Sequence, residues 1–219
     1  MTAEPLSSLD RSTLRERALE ALRSAILSGR YRPGDHLGEV ELAGSLGVSR
    51  GTVREALRHL QQEGLVTAGN RGMLRVNSLT SAEVRELFRV RAALEGLAVR
   101  EVIASARREA AAETLRAAVE RLSDEDEAAV RIEADLAFHL LLCQLSGNSM
   151  LVEAWQRLEG RMRVAILNGA AWQAPMMARD RHVPIVEAVE RGDVEAAVRV
   201  VDEHMTAAAE HFADATESA

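Results

Sequence analysis

Residues 42–66, LAGSLGVSRGTVREALRHLQQEGLV, read as two short helices joined by a tight turn and followed by a strand. Leu42, Ala43 and Leu46 are apolar at helical spacing. Gly47 ends the first helix, because it tolerates the left-handed conformation that a helix terminus needs. Val48 turns inward, and Ser49 stands where an N-cap belongs, just before Thr52 and Val53. Val53, Ala56, Leu57 and Leu60 make one apolar stripe on the second helix. Arg50, Thr52, Arg54, Arg58 and Gln61 fall on its other side, so the hidden face is greasy and the open face carries guanidinium groups. A helix-turn-helix that offers its second helix to the DNA major groove has this layout.

Outward from this stretch, Val66-Thr67 and residues 73–77 are two β-prone runs around a glycine-rich, basic tip, Ala68-Gly69-Asn70-Arg71-Gly72. A helix-turn-helix with a basic β-hairpin is a winged helix, whose tip suits a minor groove or a phosphate. Upstream, residues 13–28 form a helix with a buried stripe of Leu14, Ala18, Leu22, Ala25 and Ile26, closed by Gly29. Arg32-Pro33-Gly34-Asp35 is a turn. Residues 1–11 are expected to be a mobile tail.

Leu27-Ser28-Gly29-Arg30, Arg32-Pro33-Gly34-Asp35-His36-Leu37, Glu39, Glu41-Leu42-Ala43, Val48-Ser49-Arg50, Val53-Arg54-Glu55-Ala56-Leu57 and Glu63-Gly64-Leu65-Val66 resemble the DNA-binding domain of GntR-family bacterial transcription regulators. The resemblance covers residues 12–77. Two departures stand out. Val40 occupies a position where many members carry a DNA-contacting arginine, and Gly51-Thr52 replaces a common Thr-Pro pair.

The 219 residues hold 27 arginines and no lysine, with a formal net charge of -7. The charge is unevenly spread: residues 1–77 carry +2 and residues 78–219 carry -9. The mildly basic part contains the helix-turn-helix, and the acidic remainder is unsuited to DNA. No apolar run approaches the ~18 residues that a membrane helix needs. The first residues, MTAEPLSSLDRS, do not read as a signal peptide. A lone Cys143 excludes an internal disulfide. A cytoplasmic location and no membrane association are expected.

After a linker at residues 78–80, the chain reads as helix almost throughout. Thr80 or Ser81 caps the next helix, with Glu83 and Glu86 in its first turns. Expected helices cover residues 81–105, 107–122, 125–145, 149–168, 175–191 and 194–215, broken at Ser123-Asp124, Ser146-Gly147-Asn148, Gly169 and Gly192-Asp193. The fold class expected is mostly α: an N-terminal winged helix-turn-helix, then an all-α antiparallel six-helix bundle over residues 81–215. No glycine-rich phosphate loop or β-α alternation points to a nucleotide fold.

Four metal-ligand types lie in this second part. Asp135 and His139 are spaced i, i+4, about 40° apart on one helix face. His182 shares a stripe with Ile185, Val186 and Val189, and His204 with Val200, Val201 and Ala208, which places both imidazoles inward. A carboxylate and three imidazoles inside a bundle suit a divalent ion, Zn or Ni foremost, with room for an exogenous ligand. Each histidine alone would be read as a core residue satisfied by one hydrogen bond. His36, His59 and His211 sit in a loop, on the second helix of the motif and near the C-terminus, and take no metal role. Arg91 presents a two-donor fork that matches a carboxylate, or else pairs with Glu95 at i+4. Trp155 and Met162 are read as core.

Arg91 with Leu94-Glu95, Asp135-Leu136-Ala137-Phe138-His139, Ser146-Gly147-Asn148, His182-Val183-Pro184-Ile185, Gly192-Asp193 and His204 resemble the ligand-binding FCD domain of the FadR-like subfamily. In such members the aspartate and three histidines hold a divalent metal. A small carboxylate completes its coordination and pairs with an arginine on the domain's first helix. The resemblance therefore implies a metal site at Asp135, His139, His182 and His204, with an effector anchor at Arg91. Asn168 and Trp172 would lie near the pocket mouth.

The expected function is a dimeric, metabolite-responsive repressor. Arg50 and Arg54 would reach base edges, with Ser49 and Thr52 beside them. Arg58 would touch phosphate, and Arg71 with Gly72 would enter the adjacent groove. One such helix carries little specificity, so a homodimer on a short palindromic double-stranded operator is expected. A small carboxylate or sugar acid would release it. The alternatives are a non-metal regulator holding an acyl chain in the bundle, or a metal-dependent hydrolase. Against the hydrolase, no general base stands beside the ligands and a winged helix has no use in one.

Overall fold

The computed structural model describes residues 14–69, 72–122, 128–167 and 177–217. Helix α1 (Leu14–Leu27) packs on α3 (Arg50–Gln62), with α2 (Glu39–Leu46) beside it. The turn between α2 and α3 follows the local chemistry. Gly47 is left-handed at φ 64°, and the Ser49 hydroxyl accepts from Thr52 N. Val53, Ala56, Leu57 and Leu60 are all fully buried, against Ala18, Leu22 and Ile26 of α1 among others. Leu14 is exposed, contrary to the stripe expected for α1. The apolar period runs one turn beyond the packing, which begins at Ala18. Strands β1 (Val66–Ala68) and β2 (Leu74–Val76) pair antiparallel, Val66 opposite Val76.

Six helices follow among the described residues: α4 (Ser81–Ala104), α5 (Arg108–Val119), α6 (Ala128–Leu145), α7 (Ser149–Leu167), α8 (Arg179–Arg191) and α9 (Val194–Glu217). Thr80 caps α4 in a reciprocal box with Glu83. The breaks at Gly147 and Gly192 adopt φ 76° and 69°. The start of α8 at Arg179 is later than the residue 175 read from sequence, and residues 168–176 lie outside the described set.

Contacts fix the helix directions. Ser81 bonds the carbonyl of Ala213 and Arg85 pairs with Glu210, while Gly96 faces Val198, so α4 and α9 run antiparallel along their length. Arg91 instead faces Asp135, and Glu95 faces His139. An equal step along both helices means that α4 and α6 run parallel there. This brings an i, i+4 pair on α4 level with an i, i+4 pair on α6, and the site is built on those two rungs.

The winged helix and the bundle touch through α7. Val164 belongs to the winged-helix core. A Cβ placed on Gly160 would lie 1.5 Å from the carbonyl oxygen of Glu63, the cap residue of α3. No helix among the described residues is long and apolar enough to cross a membrane.

Candidate functional site

The amino-terminal face is built by α2 and α3. Arg50, Arg54 and Arg58 project from α3 with 63 %, 54 % and 63 % of their side chains exposed. Ser49 and Thr52 stay at the helix start, their hydroxyls 2.9 Å apart. Arg54 is already engaged. Its Nε and Nη2 donate to the two carboxylate oxygens of Glu39 at 2.8 and 2.7 Å, and Arg50 Nη2 approaches the same group at 4.0 Å. The Arg54 hydrogen bonds hold the Glu39 carboxyl below its usual range. Arg58 pairs with Glu55 one turn back at 3.2 Å. Val40 is 67 % exposed on the same rim. Gly72 turns the wing with φ 74°, and Gly69 N donates to the Met73 carbonyl at 2.7 Å. Arg71, expected at the tip, lies outside the described residues.

Inside the bundle, Arg91, Glu95, Asp135, His139, His182 and His204 are all buried polar groups. The three imidazoles meet as an ion-sized cluster, with one ligand atom of each within 4.8 Å of the others. Hydrogen bonds on the outer edge of two rings set their tautomers. His182 Nδ1 donates to the Ala178 carbonyl at 2.9 Å, and His139 Nδ1 donates to Glu95 Oε2 at 2.5 Å. In the neutral rings this leaves a lone pair on each Nε2, and those two atoms are 3.1 Å apart. Asp135 Oδ1 lies 3.0 Å from His182 Nε2 and 3.9 Å from His139 Nε2. Lone-pair donors turned on one point repel one another, and a divalent cation at that point reverses the sign. His204 adds a third ring, 4.8 Å centroid to centroid from His182. Its buried Nδ1 has no hydrogen-bond partner among the described residues. The donor set fits a metal such as zinc or nickel.

Arg91 lies beside this cluster. Its Nε donates to Glu95 Oε1 at 2.7 Å and its Nη2 stands 3.9 Å from Asp135 Oδ2. That Nη2 is buried and lacks a hydrogen-bond partner among the described residues. An orphaned guanidinium donor in a dry site is costly, and an anion supplies what it lacks. Phe88 and Trp155 flank the guanidinium at 5.5 and 6.0 Å.

Sequence reasoning saw Glu95 as a possible partner of Arg91 and missed its other bonds. It also accepts from Trp155 Nε1 at 3.0 Å, so Trp155 is core but is tied to the site. The i, i+4 spacing to Arg91 is local and visible; contact with His139 needs the parallel placement of α6, which spacing does not reveal. Asn168 and Trp172 lie outside the described residues.

Burial, reinforced by the Arg91 charge, pushes His139 well below the ordinary imidazole value, and burial does the same to His204. Burial opposes ionisation of Asp135, but Arg91 favours it, and whenever the rings are protonated the His182 hydrogen bond and the His139 and His182 charges join in; together they outweigh burial and keep the carboxyl below its usual range. An imidazole depressed in the folded state binds its proton more readily when unfolded. Its stabilising effect is complete above pH 6.5, the ordinary value, and is lost as pH falls below it. The metal-free protein is therefore expected to melt at progressively lower temperature from about pH 7 to about pH 5. Thermal unfolding in chelator across that range checks this, and a flat or rising midpoint contradicts it.

Comparison with known proteins fits this geometry. Residues 14–76 match the family described as bacterial regulatory proteins, gntR family, and residues 86–207 match the FCD domain. An HTH-type transcriptional regulator of Bacillus subtilis, YdhC, itself uncharacterized, is 32% identical over 200 residues, which is 87% of each chain. A probable D-xylose utilization operon transcriptional repressor of Paenarthrobacter nicotinovorans is 32% identical over 91% of this chain and 88% of its own. A GntR transcriptional regulator from Rhodococcus sp. RHA1, known from its crystal structure, superposes with a TM-score of 0.75 at 29% identity, covering 93% of this chain and 99% of that one. With a winged helix-turn-helix ahead of an FCD bundle, this chain belongs to the GntR family of transcription regulators and is not an enzyme.

Proposed function

We propose that the protein is a homodimeric repressor whose bundle binds a divalent metal and a small carboxylate, and which leaves its operator when the carboxylate binds. The metal ligands are Asp135, His139, His182 and His204; Arg91 anchors the effector; Arg50, Arg54, Arg58 and the wing grip DNA. Residues 12–77 form the DNA-binding unit and residues 81–215 the sensing unit. The observation that carries the metal is the pair of Nε2 atoms held 3.1 Å apart by the bonds on their outer edges. When bound, the ion supplies a Lewis-acid position for an oxygen ligand.

Charge favours an anionic effector. Asp135 and Glu95 against Arg91 leave one negative charge in the buried site, and a divalent ion turns that into one positive. A single carboxylate balances it, and Arg91 Nη2 is the donor left to receive it. These lining groups are polar, so an acyl chain would bury charged donors without partners. The name of the D-xylose utilization relative supports repression.

The dimer reading rests on α4. Val90, Ala93 and Leu97 are exposed and recur every three or four residues, with Val90 at 50% and Leu97 at 42%. An exposed apolar seam at that period matches its own copy in a two-helix interface.

Elemental analysis of protein purified without a histidine tag should find one metal ion per chain. At a hundredfold excess over Kd, loading should raise the melting point by about 5–10 °C. A screen of small carboxylates and sugar acids on the metal-loaded protein should then find one that raises it further and releases the operator, and Arg91→Ala should erase both responses. Absence of stoichiometric metal, with unchanged effector binding in His139→Ala plus His182→Ala, would establish the metal-free alternative instead.

A further inference from the structure

We infer that Glu95 is the positioning residue of the metal site, fixing His139 as a ligand and Arg91 as an anion anchor with one carboxylate. The inference rests on the metal reading above and goes beyond the four ligands. Glu95 is fully buried at the middle of α4. Its two oxygens are divided between tasks. Oε1 accepts from Arg91 Nε at 2.7 Å and from Trp155 Nε1 at 3.0 Å. Oε2 stands 2.5 Å from His139 Nδ1. Both donors on Oε1 are obligate: neither an indole nor a guanidinium accepts. Oε2 is thereby left to hold the Nδ1 proton of His139, which turns the Nε2 lone pair toward Asp135 and His182. The bond to Arg91 has a second effect. With Nε committed, the guanidinium can meet an anion only through its terminal nitrogens, and Nη2 is the one buried without a partner.

This division predicts an asymmetric result for Glu95→Gln, which preserves shape. The amide oxygen must face Arg91 and Trp155, because both donate. The amide NH2 then faces His139 and donates to Nδ1. The imidazole proton moves to Nε2, where it blocks the metal. Metal affinity should fall about 10- to 100-fold, the usual effect of losing an outer-shell partner.

The test uses the full-length chain and metal alone. Zn2+ affinity is measured by competition with a chromophoric chelator, and Co2+ is used to record the visible spectrum of the site. Wild type should bind one ion; Glu95→Gln should bind it 10- to 100-fold more weakly with an altered Co2+ spectrum. In a His139→Ala background, Glu95→Gln should cause no further loss, because its effect passes through that ring. A general packing defect would weaken both backgrounds alike. If Glu95→Gln does not fold, Glu95→Asp keeps the charge but draws the carboxylate back from Nδ1, and the same loss is expected. Zn2+ affinity within threefold of wild type, or an equal loss with and without His139, overturns the role of Glu95 while leaving the metal site standing. A wild-type protein that takes up no metal overturns both.

Discussion

Gly160→Ala is expected to destabilise the protein, although alanine is the better helix former. A glycine inside a helix costs roughly 1 kcal/mol relative to alanine, so propensity alone favours the substitution. Gly160 lies well inside α7, and the added Cβ would fall 1.5 Å from the Glu63 carbonyl oxygen and 2.6 Å from its carbon. Both are backbone atoms at the end of α3, so no side chain can swing away. The two segments must separate, and Val164, which completes the winged-helix core from α7, is pulled with them. Overpacking costs about 1–3 kcal/mol and sometimes more, which exceeds the propensity gain. A fall in melting point of roughly 3–10 °C is expected, or two separate transitions where one was present. Gly44→Ala is the control. It adds a Cβ inside α2 with nothing within 4 Å, and should leave stability equal or higher. Calorimetry on the two variants decides the matter. If Gly160→Ala melts no lower than wild type, α7 does not seat the winged helix as described.

That contact also marks where sequence reading stops. The helix-turn-helix is legible because its causes are local: Gly47 needs a left-handed φ, Ser49 caps the next helix, and Val53, Ala56, Leu57 and Leu60 repeat at helical period. The same holds for the Thr80 capping box and for the breaks at Gly147 and Gly192. The inward histidines were legible too, since each shares an apolar stripe with neighbours that the bundle buries. Leu14 misled because periodicity says which face is apolar but not how far the partner helix extends. Glu95 was half legible: its step to Arg91 lies within one helix, whereas its bonds to His139 and Trp155 join three. Gly160 carries no local signal at all. A helix interior gives no reason for glycine until α3 is laid against it.

Arg54→Ala is expected to weaken operator binding by roughly 5- to 150-fold at each half-site and to relax base choice there. In a two-fold dimer the loss counts twice, giving roughly 25-fold to twenty-thousandfold overall. Arg54 does not wait free in solvent. Glu39 holds it by two hydrogen bonds of 2.8 and 2.7 Å, and also draws Arg50 to 4.0 Å. An exposed ion pair of this kind contributes little to stability, so its worth lies in orientation. A guanidinium held side-on through Nε and Nη2 still has its remaining N–H groups to offer a base edge. The pair has a second consequence on removal. Without Arg54, the Glu39 carboxylate keeps only Arg50, at 4.0 Å, to offset it on a surface that faces phosphates, and its charge repels them. Part of the loss in Arg54→Ala is therefore repulsion, and Arg54→Ala with Glu39→Ala should bind operator more tightly than Arg54→Ala alone. Glu39→Ala by itself should tighten binding to random duplex while narrowing discrimination, because it removes a negative charge and an orienting clamp together. Isotherms at one fixed salt concentration, on an operator selected from random duplexes and on a scrambled control, separate these terms. Coincident curves for wild type and Arg54→Ala would mean that α3 does not read the operator.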